Sequence, residues 1–387
     1  MYVSKLELTN WKNFRTPGPI SLGRRVFLVG PNASGKSNFL DAFKFLRDLC
    51  IPGGGLQQAV NSRGGVSMIR CLAARQYSDI KVDLELREDD RNGDGKNWRY
   101  CLEFSQDNLR KAVIKRELVE GGGKTLLDRP DASDRADTAR LTQTALEQIT
   151  ANKTFRDIAD FFQEVAYQHL LPQVIRDPIG FSPHSVVNDP YGRDFLQRVA
   201  RTPTKMQHAR LNIILQALRV AVPQLNKLSI DRDENGVPHL IGVYEHWRPH
   251  GSKQSEAQFS DGTLRLFGVL WSLFEGDGVL LMEEPEQSLH VELVRKLPQL
   301  IERVHRFRKS KRQVIISTHS EEMLSDKGIS GEEVLRLEPS SEGTLLKSPN
   351  DSDDERSLLK SGMSVGEVVI PKAAPKGIDQ LLLTFPD

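Results

Sequence analysis

At 387 residues, 38% hydrophobic and 27% charged, the chain has the make-up of an ordinary soluble globular protein, long enough for two domains or for one large α/β domain with an insertion. Its formal net charge of +1 argues neither for nor against a nucleic-acid partner, and no uninterrupted apolar run could cross a bilayer. Cys50, Cys71 and Cys101 lie far apart with no C-x-x-C pair, which argues against a disulfide framework or a zinc site and fits a reducing cytoplasm.

Residues 2–8 alternate Val3, Leu6 and Leu8 with polar side chains, as a half-buried strand does, and lack the apolar core of a signal peptide. Asn10 to Arg15 follow as a polar loop with two aromatics. The apolar run Arg25–Val29 then leads into Gly30-Pro31-Asn32-Ala33-Ser34-Gly35-Lys36-Ser37, a G-x-x-x-x-G-K-S loop, with Asn38 next and Phe39, Ala42, Phe43 and Leu46 at helical spacing. A strand before and a helix after are the context a phosphate-binding loop needs. Gly30 and Gly35 let the backbone turn tightly and bring successive N–H groups to phosphate oxygens, and the helix adds its positive end. Lys36 is expected to reach the β- and γ-phosphates and the Ser37 hydroxyl to ligate magnesium, so the site calls for ATP and Mg2+.

Ile51-Pro52-Gly53-Gly54-Gly55 ends that helix. Three strand-like segments follow, Ile80–Leu86, Trp98–Phe104 and Ala112–Val119, the first two joined by the turn Asn92-Gly93-Asp94-Gly95. Residues 120–140 are Gly- and Asp-rich and read as a mobile loop. From Leu141 the spacing turns helical, and 141–222 is expected to form a mostly helical lobe broken by Pro172, Pro178, Pro183 and Pro190. Lys227–Asp231 and His239–Tyr244 read as a strand pair.

Phe259-Ser260-Asp261-Gly262-Thr263 opens a helix whose apolar face includes Leu264, Phe267, Leu270, Trp271 and Phe274. A buried-strand run, Val279–Met282, ends in Glu283-Glu284-Pro285-Glu286, and a second, Val314-Ile315-Ile316, ends in Ser317-Thr318-His319-Ser320. Strands alternating with helices imply a parallel sheet with ligands at the carboxyl ends of its strands. Paired carboxylates there suit a magnesium-phosphate site, with Glu283 on the metal side and Glu284 activating water. His319 could contact the γ-phosphate or the attacking water, or be structural.

Taken together, G-P-N-A-S-G-K-S, F-S-D-G-T, L-L-M-E-E-P-E-Q-S-L-H and I-I-S-T-H-S resemble, in order, the phosphate loop, signature, Walker B with D-loop, and histidine switch of ABC-type ATPases. The branch is that of RecF, the structural-maintenance-of-chromosomes (SMC) proteins and the OLD ATPases. The whole chain is similar to stand-alone AAA-type ATPases of bacterial defence systems such as PARIS and Septu. The resemblance implies an α/β fold, a P-loop NTPase head with a mixed, largely parallel sheet, an antiparallel β subdomain and an inserted helical lobe. Its expected divisions are 1–140 and 259–350 as the two halves of the head, 141–258 as helical lobe and connecting strands, and 351–387 as a tail.

The same resemblance places Lys12 and Asn13, in L-T-N-W-K-N-F, against the nucleotide. It implies a head-to-tail homodimer, or a higher oligomer, in which Ser260, Asp261 and Gly262 face the γ-phosphate held by the partner's phosphate loop and Ser288 of the D-loop crosses the interface. Alone, Ser260-Asp261-Gly262 would equally be a plain helix cap. Glu283 stands where many ABC proteins have aspartate, and Gln76 is the one candidate for a Q-loop glutamine. OLD proteins carry a nuclease domain after the ATPase, whereas this chain ends at Asp387, so a separately encoded effector, a nuclease first of all, is the expected partner in antiviral defence. RecF-like DNA repair and a low-turnover nucleotide-binding scaffold are the alternatives. The basic run Arg303 to Arg312 reads either as a nucleic-acid contact or as the solvated end of a helix. Asp351 to Glu355 read as a loop capping the helix Ser357–Leu359, and the tail from Met363, with Leu381 to Leu383, as a segment that docks on the body or a partner.

Overall fold

A computed structural model describes residues 1–75, 78–88, 96–177, 189–245, 252–308 and 312–374. The chain opens with β1 (Tyr2–Thr9), β2 (Ile20–Ser21) and β3 (Arg25–Val29). β1 and β2 join β4 (Ile80–Arg87), β5 (Asn97–Gln106), β6 (Ala112–Gly121) and β7 (Lys124–Arg129) in an antiparallel sheet of order β2-β1-β4-β5-β6-β7. Its strands alternate as the sequence suggests: Val3, Leu6 and Leu8 are fully buried, while Lys5 and Glu7 keep partial exposure.

β3 belongs to a second sheet. After β8 (Ala166–Gln168) comes a small antiparallel sheet of β9 (Leu225–Arg232), β10 (Pro238–Tyr244) and β11 (Ser252–Ser255), and then β12 (Leu280–Glu283), β13 (Val314–Thr318), β14 (Val334–Ser340) and β15 (Gly343–Lys347). The central order is β15-β14-β3-β13-β12-β8, parallel throughout except for the β14–β15 pair. Both faces are covered, which is why these strands read as continuous apolar runs. Val26, Leu28, Leu281 and Ile315 enter one core with the helix Lys36–Cys50 and the antiparallel sheet. Phe27, Val29, Leu280, Met282, Val314 and Ile316 enter the other, with the helices Asp261–Phe274 and Leu297–Phe307.

Three expectations are corrected. Residues 120–140 are not a mobile loop. Gly122 and Gly123, both at positive φ, turn the chain into β7, and a helix Ala132–Ala136 follows. What holds them is ionic. Arg129 pairs with Glu117 at 3.0 Å and Asp134 at 2.9 Å, both carboxylates fully buried, and Glu117 also accepts the N–H groups of Ala145 and Leu146. Secondly, the stretch 141–222, expected to be a mostly helical insertion, also supplies the edge strand of the central sheet, Ala166–Gln168, paired in parallel with β12. Thirdly, Asp353, Asp354 and Glu355 are the first turn of a helix, Asp353–Lys360, rather than a loop before it. Its cap is Ser352, whose side chain accepts from the Glu355 N–H, and Glu355 is buried against Arg336 at 2.7 Å and Lys372 at 2.7 Å.

The turn Asn92 to Gly95, Gln76, Pro178, Pro183 and Leu381 to Leu383 lie outside the described residues. Of the basic run, Lys309 to Lys311 also lie outside them. Arg308 pairs with Asp277 at 2.6 Å, and Arg306 with Glu302 at 3.0 Å. Arg312 is buried and donates to the carbonyls of Gly278 at 2.7 Å and Ser272 at 2.8 Å. Those three guanidiniums are engaged within the chain.

Candidate nucleotide site

Because β3, β12 and β13 run parallel, their carboxyl ends open on one edge of the sheet. There Asn32, Ala33, Gly35, Lys36, Ser37, Asn38, Glu283, Glu284 and His319 line an open cleft of about 390 Å³. The phosphate loop that forms one wall needs its glycines. A Cβ on Gly30 would sit 2.7 Å from the Leu337 carbonyl oxygen. One on Gly35, at φ 102°, would fall 1.9 Å from Asn13 Nδ2. Gly35 therefore answers both a left-handed backbone and a side chain pressed against it.

Asn13 buttresses the loop from behind. Its Nδ2 donates to the Ser34 carbonyl at 2.9 Å and to Thr344 Oγ1 at 2.6 Å, and its Oδ1 accepts from Asn38 Nδ2 at 2.8 Å. Thr344 Oγ1 in turn donates to the Ser34 carbonyl at 2.8 Å. Lys12 points its ammonium at Asp41 of the following helix, 2.7 Å from Oδ2, and Asp41 is also held by Arg63 at 3.0 Å. Lys36 donates to the carbonyls of Gly30 at 2.9 Å and Pro31 at 3.1 Å, so its amine lies over the loop. Burial lowers its pKa, with Glu284, Glu283 and Glu286 opposing.

At the end of β12, Glu283 accepts from Ser37 Oγ through Oε1 and from the Tyr167 hydroxyl through Oε2. Burial, and then the Glu283 carboxylate, push the Tyr167 phenol well up, so it remains a donor. A serine hydroxyl touching a carboxylate, beside a lysine and a glycine-rich loop, is the hard-oxygen pair that fits magnesium held by few protein ligands, water and phosphates. Glu284 follows at φ 45°, a kink after the strand that separates its carboxylate from that of Glu283. Its Oε1 lies 3.3 Å from His319 Nε2, and its Oε2 accepts from the Gln287 amide. Arg265, from the second turn of the helix Asp261–Phe274, donates to Gln287 Oε1 at 3.2 Å, which fixes the amide with its NH2 toward Glu284.

His319 has its pKa lowered by burial and by Lys36, so the ring is neutral at pH 7. Its backbone N–H is 3.3 Å from Glu286 Oε1, which also accepts from Thr318 Oγ1 at 2.5 Å. Glu286 is itself pushed up by burial. The cleft thus brings together the phosphate loop, Glu283, Glu284 and His319.

Ser260, Asp261, Gly262 and Ser288 do not line it. Ser260 is an N-cap, its Oγ accepting from the Thr263 N–H at 3.2 Å, and Asp261 pairs with Arg176 at 2.6 Å. Gly262 packs on the turn at Ser288, where a Cβ would sit 2.8 Å from the carbonyl oxygen of Ser288, itself at φ 64°. Sequence reasoning missed Tyr167, His169, Arg265 and the part played by Gln287. Only the E-P-E-Q spacing carried a trace of the last.

Residues 25–325 match a family model described as "AAA domain, putative AbiEii toxin, Type IV TA system". The chain belongs to this family. Two curated relatives of it are each named "DNA replication and repair protein RecF". That of Synechocystis sp. is 31% identical over 102 residues, 26% of this chain and 27% of the relative. That of Allorhizobium ampelinum is 39% identical over 84 residues, 22% of this chain and 20% of the relative. The chain thus spans about a quarter of the length of the curated relatives it matches. Among solved structures, an SMC head bound to the C-winged helix domain of ScpA aligns over 90% of this chain and 98% of that one, at 15% identity and a TM-score of 0.52. That likeness shows the fold, which is that of an SMC head. The SMC head domain from Thermotoga maritima aligns over 90% of this chain and 99% of its own, at 16% identity and a TM-score of 0.48. No helix among the described residues is long and apolar enough to cross a membrane.

Proposed function

We propose that this member of the family hydrolyses ATP in a head-to-tail dimer of two such chains, and that closure of the dimer is a switch read by a separately encoded effector in antiviral defence. The observation that carries the reading is the convergence of Lys36, Ser37, Glu283, Glu284 and His319 on one cleft at the ends of three parallel strands. In this reading the backbone N–H groups of residues 32–36 receive the β-phosphate, and Lys36 exchanges its two carbonyl partners for phosphate oxygens. Ser37 and Glu283 hold magnesium, which neutralises phosphate charge when bound. Glu284 accepts a proton from the attacking water, whose oxygen bonds the γ-phosphorus as the bond to the β-phosphate oxygen breaks, yielding ADP and phosphate. Neutral His319 is a donor or acceptor beside that water, depending on its tautomer.

The signature helix completes the site in trans. Ser260 caps that helix with an accepting oxygen, and the first N–H groups after it form an anion receptor suited to the γ-phosphate on the partner's Lys36. Charge-neutral Glu284→Gln keeps the shape and loses the base. The expected outcome is a protein that retains ATP and stays dimeric, with turnover reduced by about a hundredfold or more. Turnover at the wild-type rate would remove Glu284 from the role of base.

The defence role rests on the motif order shared with stand-alone defence ATPases and on the family match. Its test is co-purification of the ATP-locked variant with a nuclease from the native cell. The similarity to two RecF proteins favours a second reading, in which the dimer loads on DNA. Stimulation of hydrolysis by gapped duplex DNA, falling as salt rises, would select it. Tight ATP binding with undetectable turnover would instead select the scaffold.

A further inference from the structure

Glu283 carries one more rotatable bond than an aspartate, so a glutamate on the metal side of the cleft needs something to aim it. The edge strand supplies it. Tyr167 of β8 stands in register with Leu281 of β12, which puts its ring on the same face of the sheet as Glu283, two residues on. The two carboxylate oxygens have different partners: the Tyr167 hydroxyl donates to Oε2, and Ser37 Oγ donates to Oε1. Nor is the ring free to leave. Lys44 Nζ lies 4.3 Å from its centroid, and the next residue but one, His169, places Nδ1 3.2 Å from the Glu283 carbonyl oxygen. The end of β8 therefore grips Glu283 by its side chain and by its backbone. No other part of the proposed reaction uses this strand.

We propose that Tyr167 is a positioning residue for magnesium, its phenol occupying Glu283 Oε2 so that Oε1 stays turned toward Ser37 and the ion. The proposal rests on reading the cleft as a magnesium-nucleotide site. It also explains how a glutamate serves where related ATPases commonly have the shorter acid: the phenol takes up the extra reach.

Tyr167→Phe keeps the ring and its contact with Lys44 and removes only the hydroxyl. With the full chain and a fluorescent non-hydrolysable ATP analogue, binding is titrated with MgCl2 and in EDTA. Bound Mn2+ is counted in parallel by electron paramagnetic resonance. Tyr167→Phe is expected to raise the half-saturating divalent concentration about tenfold or more while leaving the affinity in EDTA unchanged. Adding Tyr167→Phe to Glu283→Asp is expected to cost nothing further, because the shorter acid has already lost the phenol. A wild-type divalent requirement in Tyr167→Phe, or additive losses in the double variant, overturns the positioning role. If the wild type binds nucleotide without regard to divalent ions, or Lys36→Ala binds as the wild type does, it is the magnesium-nucleotide reading itself that fails.

Discussion

Asn13→Ala separates two accounts of the loop between β1 and β2. A nucleotide contact is what the resemblance implies for Asn13, yet its side chain is spent on the phosphate loop itself, in hydrogen bonds with the Ser34 carbonyl, Thr344 Oγ1 and Asn38 Nδ2. Each such bond contributes about 1 kcal/mol net. The Ser34 carbonyl keeps Thr344 as a donor, so it is not orphaned. The loss is then about 2–3 kcal/mol from the closed form of the loop, or roughly 30- to 150-fold in ATP affinity. Fluorescence anisotropy of a labelled ATP analogue, run beside a thermal melt, measures it. The decisive companion is Thr344→Val. Thr344 does not line the cleft, but if it shares the buttress its loss should weaken binding about tenfold. Wild-type affinity in Thr344→Val together with a large loss in Asn13→Ala would refute the buttress and return Asn13 to the nucleotide.

Ser260→Arg should leave nucleotide binding to the isolated chain within about threefold and bring hydrolysis to background, since the bulk sits on the signature helix and not in the cleft; full activity would dismiss the composite site. Arg129→Met removes the guanidinium that pairs with both fully buried carboxylates, Glu117 and Asp134, and leaves among the described residues only the half-exposed Arg140 on Asp134, so it should lower stability to urea by about 3–5 kcal/mol. A loss below about 1 kcal/mol would show that the network is not a keystone of residues 112–147. His305 supplies a pH test. Burial, opposed by Glu302 and reinforced by Arg25, Arg308 and Arg24, brings its pKa down from 6.5 to about 4, and its Nε2 has no hydrogen-bond partner among the described residues. The unfolded chain takes the proton first, so the contribution is whole above pH 6.5 and is lost as pH falls toward 4, by at most about 3 kcal/mol. His305→Phe should flatten the stability profile in that window, and an unchanged acid slope would contradict the assignment.

What the sequence disclosed and what it hid follow from range. The G-x-x-x-x-G-K-S loop, the two carboxylates after Met282 and His319 after Thr318 are local patterns, each an apolar run ending in a polar group, and parallel pairing alone brings them together. β8 escaped because three residues, Ala166 to Gln168, cannot display an alternation, and its identity as a strand comes only from pairing with β12. With it went Tyr167, whose meaning lies 116 positions away at Glu283. Residues 120–140 were misread for a related reason. Their anchor is Arg129 against buried acids, and composition counts such residues as loop formers when in fact their charges are satisfied inside. The basic run near Arg308 shows the same limit, since Arg312 is buried against carbonyls that nothing nearby in sequence announces.

One structure bears on the central claim most directly: Glu284→Gln crystallised with magnesium and ATP. Two chains should be found head to tail, each triphosphate held by Lys36 of one copy and capped by Ser260 and the Gly262 amide of the other. Nucleotide bound at Lys36 with Ser260 facing solvent, or only its own chain, would contradict it.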